Sequence, residues 1–61
     1  MIYYVAADRN GEVFLYEDEP ILGNGYWQPS RHSYYKVSSS LFPNVTYENS
    51  PMKVEIKLIE E

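Results

Sequence analysis

The segment that most constrains the fold is the turn motif Asp8-Arg9-Asn10-Gly11, which separates two runs of β-branched and aromatic residues. The runs cover residues 2–7 and 12–16, and such runs on both sides of a glycine-containing loop are typical of a β-hairpin. Aspartate and glycine at the first and fourth positions favour a type I turn in which Gly11 takes the left-handed conformation of a G1 bulge. The sequence therefore predicts an antiparallel hairpin at this point.

The predicted turn also fixes which residues of the two strands pair. With Asp8 opposite Glu12, the pairs are Ala7 with Val13, Ala6 with Phe14, Val5 with Leu15 and Tyr4 with Tyr16. Paired residues share a face, so one face carries Tyr3, Val5, Ala7, Val13 and Leu15, and the other carries Ile2, Tyr4, Ala6, Phe14 and Tyr16. A two-residue Asn10-Gly11 loop would instead mix these sets. Both faces are apolar, and we expect the rest of the chain to be too short to cover both.

Proline, glycine and serine divide the following chain into short elements. Pro20 lacks a backbone donor and follows three carboxylates, so it ends the second strand. The pattern then predicts a turn at Gly23-Asn24-Gly25, short strands over residues 26–28 and 34–38, and a single helical turn before Pro43. Residues 44–51 are predicted to be connecting chain with a little strand.

The last part of the chain alternates apolar and charged residues. Met52, Val54, Ile56 and Leu58 occupy every second position, with Lys53, Glu55 and Lys57 between them. This period of two predicts a strand with one buried and one solvated face. The alternating charges are also of a kind that discourages pairing at a sheet edge.

These elements predict one small, mainly β domain over residues 1–61. We expect a small antiparallel sheet or a partly open barrel of about 4–5 strands, with at most one short helical turn. The chain has no cysteine and a single histidine, which excludes disulfides and a structural zinc site. Its stability must therefore come from packing or self-association, and its seven tyrosines supply much of the apolar surface.

Charge and hydropathy narrow the classes of partner. Nine acidic and five basic residues give a net charge of −4, and the basic residues are scattered, so we expect no nucleic-acid partner. No run approaches the about 18 apolar residues of a membrane helix, and the first residues lack the basic region of a signal peptide. The sequence thus predicts a cytoplasmic protein without a membrane partner.

The residues that could carry chemistry are few. His32 lies between Ser30 and Ser33, but no nucleophile motif surrounds these serines, so we interpret it as a solvated loop residue and predict no enzymatic activity. The run Glu17-Asp18-Glu19 could in principle bind a hard cation, yet it lacks the alternate spacing of a calcium loop and is interrupted by Pro20. We interpret it as a solvated turn and predict no metal or cofactor.

Aromatic side chains are the best candidates for a functional surface. Tyrosine, tryptophan and arginine concentrate binding energy at protein interfaces. A lone tryptophan in a small domain is a natural core anchor, so the sequence favours a packing role for Trp27, and a binding role stays open. The candidate partner-binding residues are Tyr4, Phe14, Tyr16, Tyr26, Trp27, Tyr34 and Tyr35.

Residues 41–56 carry the pattern Phe-Pro-x-x-Thr-aromatic-acidic-x-x-Pro-x-x-Val-x-Ile, with Tyr47 as the aromatic residue. This segment resembles the C-terminal signature of short uncharacterised proteins of gut Bacteroidetes and their phages or prophages. Residues 14–20, followed by Trp27, resemble the front half of that pattern. The resemblance implies no catalytic or cofactor residues, and it implies an accessory or interaction role related to phages.

Two functional hypotheses follow. The first is a non-catalytic module, or phage or prophage accessory protein, that binds an unknown protein partner or itself through a tyrosine-rich surface. The alternative is an acidic inhibitor of a basic, nucleic-acid-handling protein, in which carboxylates replace phosphates. The carboxylates in question are those of residues 17–19, Glu48, Glu60 and Glu61.

Overall fold

The computed structural model describes residues 1–31 and 33–57 and is mainly β. Its strands are β1 (Ile2–Ala7), β2 (Val13–Tyr16), β3 (Ile21–Leu22), β4 (Trp27–Gln28), β5 (Tyr34–Val37) and β6 (Met52–Glu55). A 3-10 turn spans Ser39–Leu41, and the side chain of Ser38 caps it by accepting a hydrogen bond from the Ser40 amide. The predicted helical turn before Pro43 is thus confirmed.

The strands form one antiparallel sheet and one small hairpin. The sheet has the order β5-β2-β1-β6, so β1 and β2 are central and β5 and β6 are its edges. Strands β3 and β4 pair with each other around the predicted Gly23-Asn24-Gly25 turn. The prediction of a small antiparallel sheet is confirmed, and the described strands do not close into a barrel.

The first hairpin has the predicted register. Tyr4 pairs with Tyr16 and Ala7 with Val13. The Asp8 amide donates to the Glu12 carbonyl at 2.8 Å, and the Gly11 amide donates to the Asp8 carbonyl at 2.9 Å. Gly11 has a φ of 91°, as a G1 bulge requires. The two-residue loop is therefore excluded.

This glycine gives a first prediction. Gly11→Ala should lower the free energy of unfolding by about 1–3 kcal/mol, because an L-residue is strained at positive φ. No atom lies within 4 Å of the added methyl, so the cost is conformational rather than steric. Urea denaturation of the synthetic protein checks this, with D-alanine at the same position as control. D-alanine prefers positive φ, so equal destabilisation by both alanines would contradict the explanation.

Two chain segments cover the two faces of the sheet. On the face of Val5, Ala7 and Val13, called the valine face, Phe42 and Val45 pack against the core. On the face of Tyr4, Ala6, Phe14, Tyr16 and Tyr34, called the tyrosine face, the second hairpin packs near the first turn. Val5 and Ala6 point to opposite sides and are both 0% exposed. Both faces are therefore covered at this end of the sheet. The expectation that the chain is too short to cover both faces holds farther from the turn, where Tyr34 and Tyr35 are 47% and 49% exposed on opposite faces.

Hydrogen bonds attach the second hairpin to the tyrosine face. The buried Asp8 carboxylate accepts the Trp27 amide at 2.7 Å. The Tyr16 hydroxyl donates to the Trp27 carbonyl at 3.0 Å, and the Arg9 amide donates to the Gly25 carbonyl at 3.1 Å. Both backbone groups of Trp27 are therefore held by side chains of the first hairpin.

The C-terminal half differs from prediction in two places. Residues 44–51 contain turns and no strand, because Thr46 and Asn49 bond each other's backbone amides with their side chains, at 2.8 and 3.2 Å. Strand β6 forms as predicted, but its apolar face is incompletely buried, since Met52 is 40% and Ile56 39% exposed. The segment that covers the valine face, with Phe42 and Val45, packs nearer the first turn and leaves Met52 and Ile56 partly exposed. The last residue of the predicted alternation, Leu58, lies outside the described residues.

Candidate functional site

The tyrosine face carries a row of side chains that crosses the sheet. Strand pairing aligns Tyr34 with Tyr16, Tyr16 with Tyr4, and Tyr4 with Lys53. Phe14 lies on the same face, two residues before Tyr16, and pairs with Ala6 on one side and Lys36 on the other. Antiparallel pairing therefore brings four of the predicted candidates, Tyr4, Phe14, Tyr16 and Tyr34, onto one face.

Three rings in this row contact each other directly. Tyr34 stacks on Tyr16 with ring centroids 5.5 Å apart and an interplanar angle of 17°. Phe14 meets Tyr34 edge to face at 5.6 Å and lies 6.4 Å from Tyr16. These separations are those of favourable aromatic pairs. Tyr34 is therefore held in place although it lies on an edge strand.

The four candidates differ in burial, and three of them are accessible to a partner while one is not. Tyr16 is 1% exposed and lies beneath its neighbours, so it offers a partner no surface of its own. Tyr34 is 47% exposed, while Tyr4 and Phe14 are half-buried. We call Tyr4, Phe14 and Tyr34 the aromatic surface, and Tyr16 is its buried support.

Two lysines flank the aromatic surface. The Lys53 ammonium lies 5.9 Å from the Tyr4 ring centroid, within range of a cation–π interaction. Lys36 pairs with Phe14 across the strands, and its ammonium lies 3.4 Å from a Glu12 carboxylate oxygen. The surface is thus flanked by two lysines, of which Lys36 is ion-paired with Glu12. Sequence reasoning missed these lysines, and their face can be read only once the strands are paired.

The other predicted residues lie elsewhere. Tyr26 and Trp27 belong to the second hairpin, where Tyr26 is exposed and Trp27 is half-buried. The Trp27 indole nitrogen is buried and has no hydrogen-bond partner among the described residues. Tyr35 neighbours Tyr34 in the chain but points to the valine face and is 49% exposed. The predicted set is therefore divided among three places.

Tyr35 is engaged with a carboxylate. Its hydroxyl donates to Glu17 at 2.9 Å. This hydrogen bond, together with the negative charge of Glu17, raises the pKa of Tyr35. The hydrogen bond connects β5 to the segment that follows β2, and it engages Glu17, one of the three carboxylates of residues 17–19.

The acidic residues do not form one surface. Glu17 and Asp18 lie beside Met1 and Tyr3, at the beginning of β1. Glu48 lies beside Arg9 and the first turn, at the other end of that strand. Glu60 and Glu61, like His32, lie outside the described residues. Within the described chain the carboxylates are therefore dispersed to opposite ends of the sheet.

The buried tyrosine has perturbed acidity. Burial raises the pKa of Tyr16 to about 12, and the nearby charge of Asp8, followed by that of Tyr34, acts in the same direction. Its hydroxyl also donates a hydrogen bond to Trp27, which only the protonated phenol can do. The folded protein therefore favours neutral Tyr16.

This shift predicts alkaline unfolding. The folded pKa lies above the ordinary value of 10.0, so the stability linked to neutral Tyr16 is fully present below pH 10 and is lost as the pH rises toward about 12. Circular dichroism as a function of pH measures the transition. Tyr16→Phe has no such proton to lose and should unfold less steeply in this range, relative to its own stability at pH 8. An unchanged pH dependence in that variant would rule out Tyr16 as the cause.

Comparison of this chain with protein-family models, with curated proteins and with solved structures gives no match. Among the described residues, no helix is long and apolar enough to cross a membrane. The interpretation of function therefore depends on the geometry of the aromatic surface itself.

Proposed function

We propose that this protein is a non-catalytic interaction module that binds another protein through the aromatic surface. The observation that supports this most is the position of Tyr34, which is 47% exposed yet stacked on the buried Tyr16 ring. Tyrosine presents a large contact area and loses little side-chain entropy on binding. A ring that is already held in place loses still less, so more of the contact energy becomes affinity.

The flanking lysines indicate the kind of partner. Lys36 and Lys53 lie at the two sides of the aromatic surface. Lys36 is ion-paired with Glu12, so the charge that we expect a partner to meet is that of Lys53, beside the Tyr4 ring. A partner that presents an apolar patch with a carboxylate facing Lys53 would match both the rings and this charge, and complementary charge accelerates association. We propose that binding takes place in the cytoplasm. The resemblance of residues 41–56 to proteins of gut Bacteroidetes and their phages supports an accessory role in a phage or prophage.

Two adjacent tyrosines allow a matched test of this proposal. Tyr34 and Tyr35 are about equally exposed, at 47% and 49%, but point to opposite faces of β5. The wild-type protein, Tyr34→Ser and Tyr35→Ser are immobilised, exposed to lysate of the native host, and compared by mass spectrometry. We expect a protein that the wild type and Tyr35→Ser retain and that Tyr34→Ser loses about tenfold or more, the scale of an interface hot spot.

The same experiment separates the alternatives. Equal capture by all three proteins, or no specific capture by the wild type, would contradict the proposal. A partner that binds Tyr34→Ser normally and is released steeply by salt would instead favour the acidic inhibitor, because exposed charge pairs are screened. The dispersal of Glu17 and Glu48 to opposite ends of the sheet makes this second outcome the less expected one.

A further inference from the structure

Among the described residues, strand β6 is an edge strand that pairs on one side only. It pairs with β1 through Ile2↔Glu55 and Val5↔Met52, and pairing continues past the strand to Met1 and Ile56. The Ile56 amide donates to the Met1 carbonyl at 2.8 Å, and the Met1 amine donates to the Ile56 carbonyl at 2.9 Å. In an antiparallel ladder every second residue bonds the same neighbour, so the backbone groups of Lys53 and Glu55 point away from the sheet.

The side chains of this edge are divided by face. Lys53 and Glu55 lie on the tyrosine face, and Met52, Val54 and Ile56 lie on the valine face. Met52 and Ile56 are 40% and 39% exposed, and Val54 is half-buried. Among the described residues the edge therefore offers outward backbone groups and an incompletely covered apolar strip. Its charged side chains are Lys53, Glu55 and Lys57, and the exposed Glu55 carboxylate lies 3.5 Å from the Lys57 ammonium of the same chain.

We propose that two copies of the protein associate through β6, as antiparallel strands related by a two-fold axis at Val54. In this register Lys53 of each copy lies opposite Glu55 of the other, and Met52 lies opposite Ile56. The outward backbone groups of Lys53 and Glu55 bond each other across the axis, and the two sheets become one. The apolar strips of both copies then join on the valine face.

Charge complementarity selects this register. A two-fold axis at Glu55 would place Lys53 opposite Lys57, and an axis at Lys53 would place two lysines together, which opposes like charges. An axis between two residues would mix the apolar and charged faces. Parallel pairing in register also opposes like charges. The alternating charges thus disfavour most registers, but in this register they match a second copy of the same strand.

One other axis, at Ile56, would pair Glu55 with Lys57 and must be distinguished by experiment. The axis at Val54 uses the centre of the strand that forms, whereas the axis at Ile56 needs residues beyond Lys57. At Val54 the two copies form a non-hydrogen-bonded pair, with Cα atoms about 4.5 Å apart, a distance that a disulfide can span. The chain has no cysteine, so an introduced one reacts alone.

Cysteine cross-linking of the full chain tests the register. Under mild oxidation, Val54→Cys should form a covalent dimer. Ile56→Cys should not, because two Ile56 residues are four positions apart in this register, about 13 Å. Rapid cross-linking of Ile56→Cys with none of Val54→Cys would overturn the proposed register.

Charge exchange tests the contact without altering the half-buried Val54. Lys53→Glu and Glu55→Lys should each weaken the dimer about tenfold or more in sedimentation equilibrium, because each opposes like charges twice. The double variant restores opposite charges and should recover most of the affinity. A wild-type protein that sediments at 7.2 kDa up to about 1 mM would overturn the proposal, as would equal affinity in all three variants.

This edge is distinct from the position of Tyr34, which lies on β5 at the other side of the sheet. Tyr34→Ser should therefore dimerise like the wild type. Dimerisation through the β5 edge would appear as a dimer that Tyr34→Ser or Lys36→Glu weakens and Lys53→Glu does not, and this would also overturn the proposal. Failure of host-protein capture leaves the dimer measurable, so the two proposals can fail separately.

Discussion

Tyr16→Ala is expected to lower the free energy of unfolding by about 3–5 kcal/mol, the range for removal of a large buried aromatic side chain. The Tyr16 ring is 1% exposed and contacts both Phe14 and Tyr34, and its hydroxyl bonds the Trp27 carbonyl. A domain of this size has about 3–9 kcal/mol of stability in total. The variant should therefore be largely unfolded at 37 °C, as measured by circular dichroism and urea denaturation.

Two other tyrosine variants serve as controls for this prediction. Tyr16→Phe keeps the ring and loses only the hydrogen bond to Trp27, so it should cost about 0.5–1.5 kcal/mol. Tyr35→Ala removes a half-exposed ring from the other face and should cost less than Tyr16→Ala. If Tyr16→Ala were no more destabilising than Tyr35→Ala, the tyrosine face would not be held together by the buried ring.

Asp8→Ala is expected to lower the free energy of unfolding by about 1.5–3 kcal/mol, the range for a hydrogen bond to a charged group. Asp8 is buried, and its carboxylate accepts the Trp27 amide at 2.7 Å. Removal leaves that amide without its partner and loosens the second hairpin. Trp27 is the only tryptophan, so its fluorescence reports this hairpin directly in a urea titration.

The matched control for this variant is Asp8→Asn. It keeps an acceptor oxygen of similar shape without the charge, and it should lose less stability than Asp8→Ala. Faster amide hydrogen exchange at Trp27 should accompany the alanine variant. Unchanged exchange and a stability within about 0.5 kcal/mol of the wild type, the scatter of neutral surface changes, would contradict a docking role for Asp8.

The parts of the fold that the sequence predicts are those set by local chemistry. The register of the first hairpin follows from Asp8 and Gly11, because the turn geometry alone determines which residues pair. The neighbour of β1 on its other side could not be predicted. That neighbour is β6, and the choice depends on how residues 38–51 cross the valine face, which no local pattern encodes.

The candidate site was predictable in residue type but not in arrangement. Tyr16 and Tyr34 are chemically identical and share a face, yet one is buried and the other is half-exposed. The difference arises from the second hairpin, which bonds Asp8 and Tyr16 and leaves Tyr34 uncovered. Its anchor is a carboxylate in the first turn, where the sequence indicates only a turn-forming role.

The position of β1 in the sheet has a consequence for how the chain acquires its structure. This strand precedes all the other described strands but lies in the middle, and its second neighbour arrives with β6. The bond between Met1 and Ile56 joins residues 55 positions apart. Pairing over such separations slows folding, because loop closure must precede the stabilising contacts. During synthesis, one edge of the apolar strand β1 therefore stays unpaired until residues 52–55 have left the ribosome.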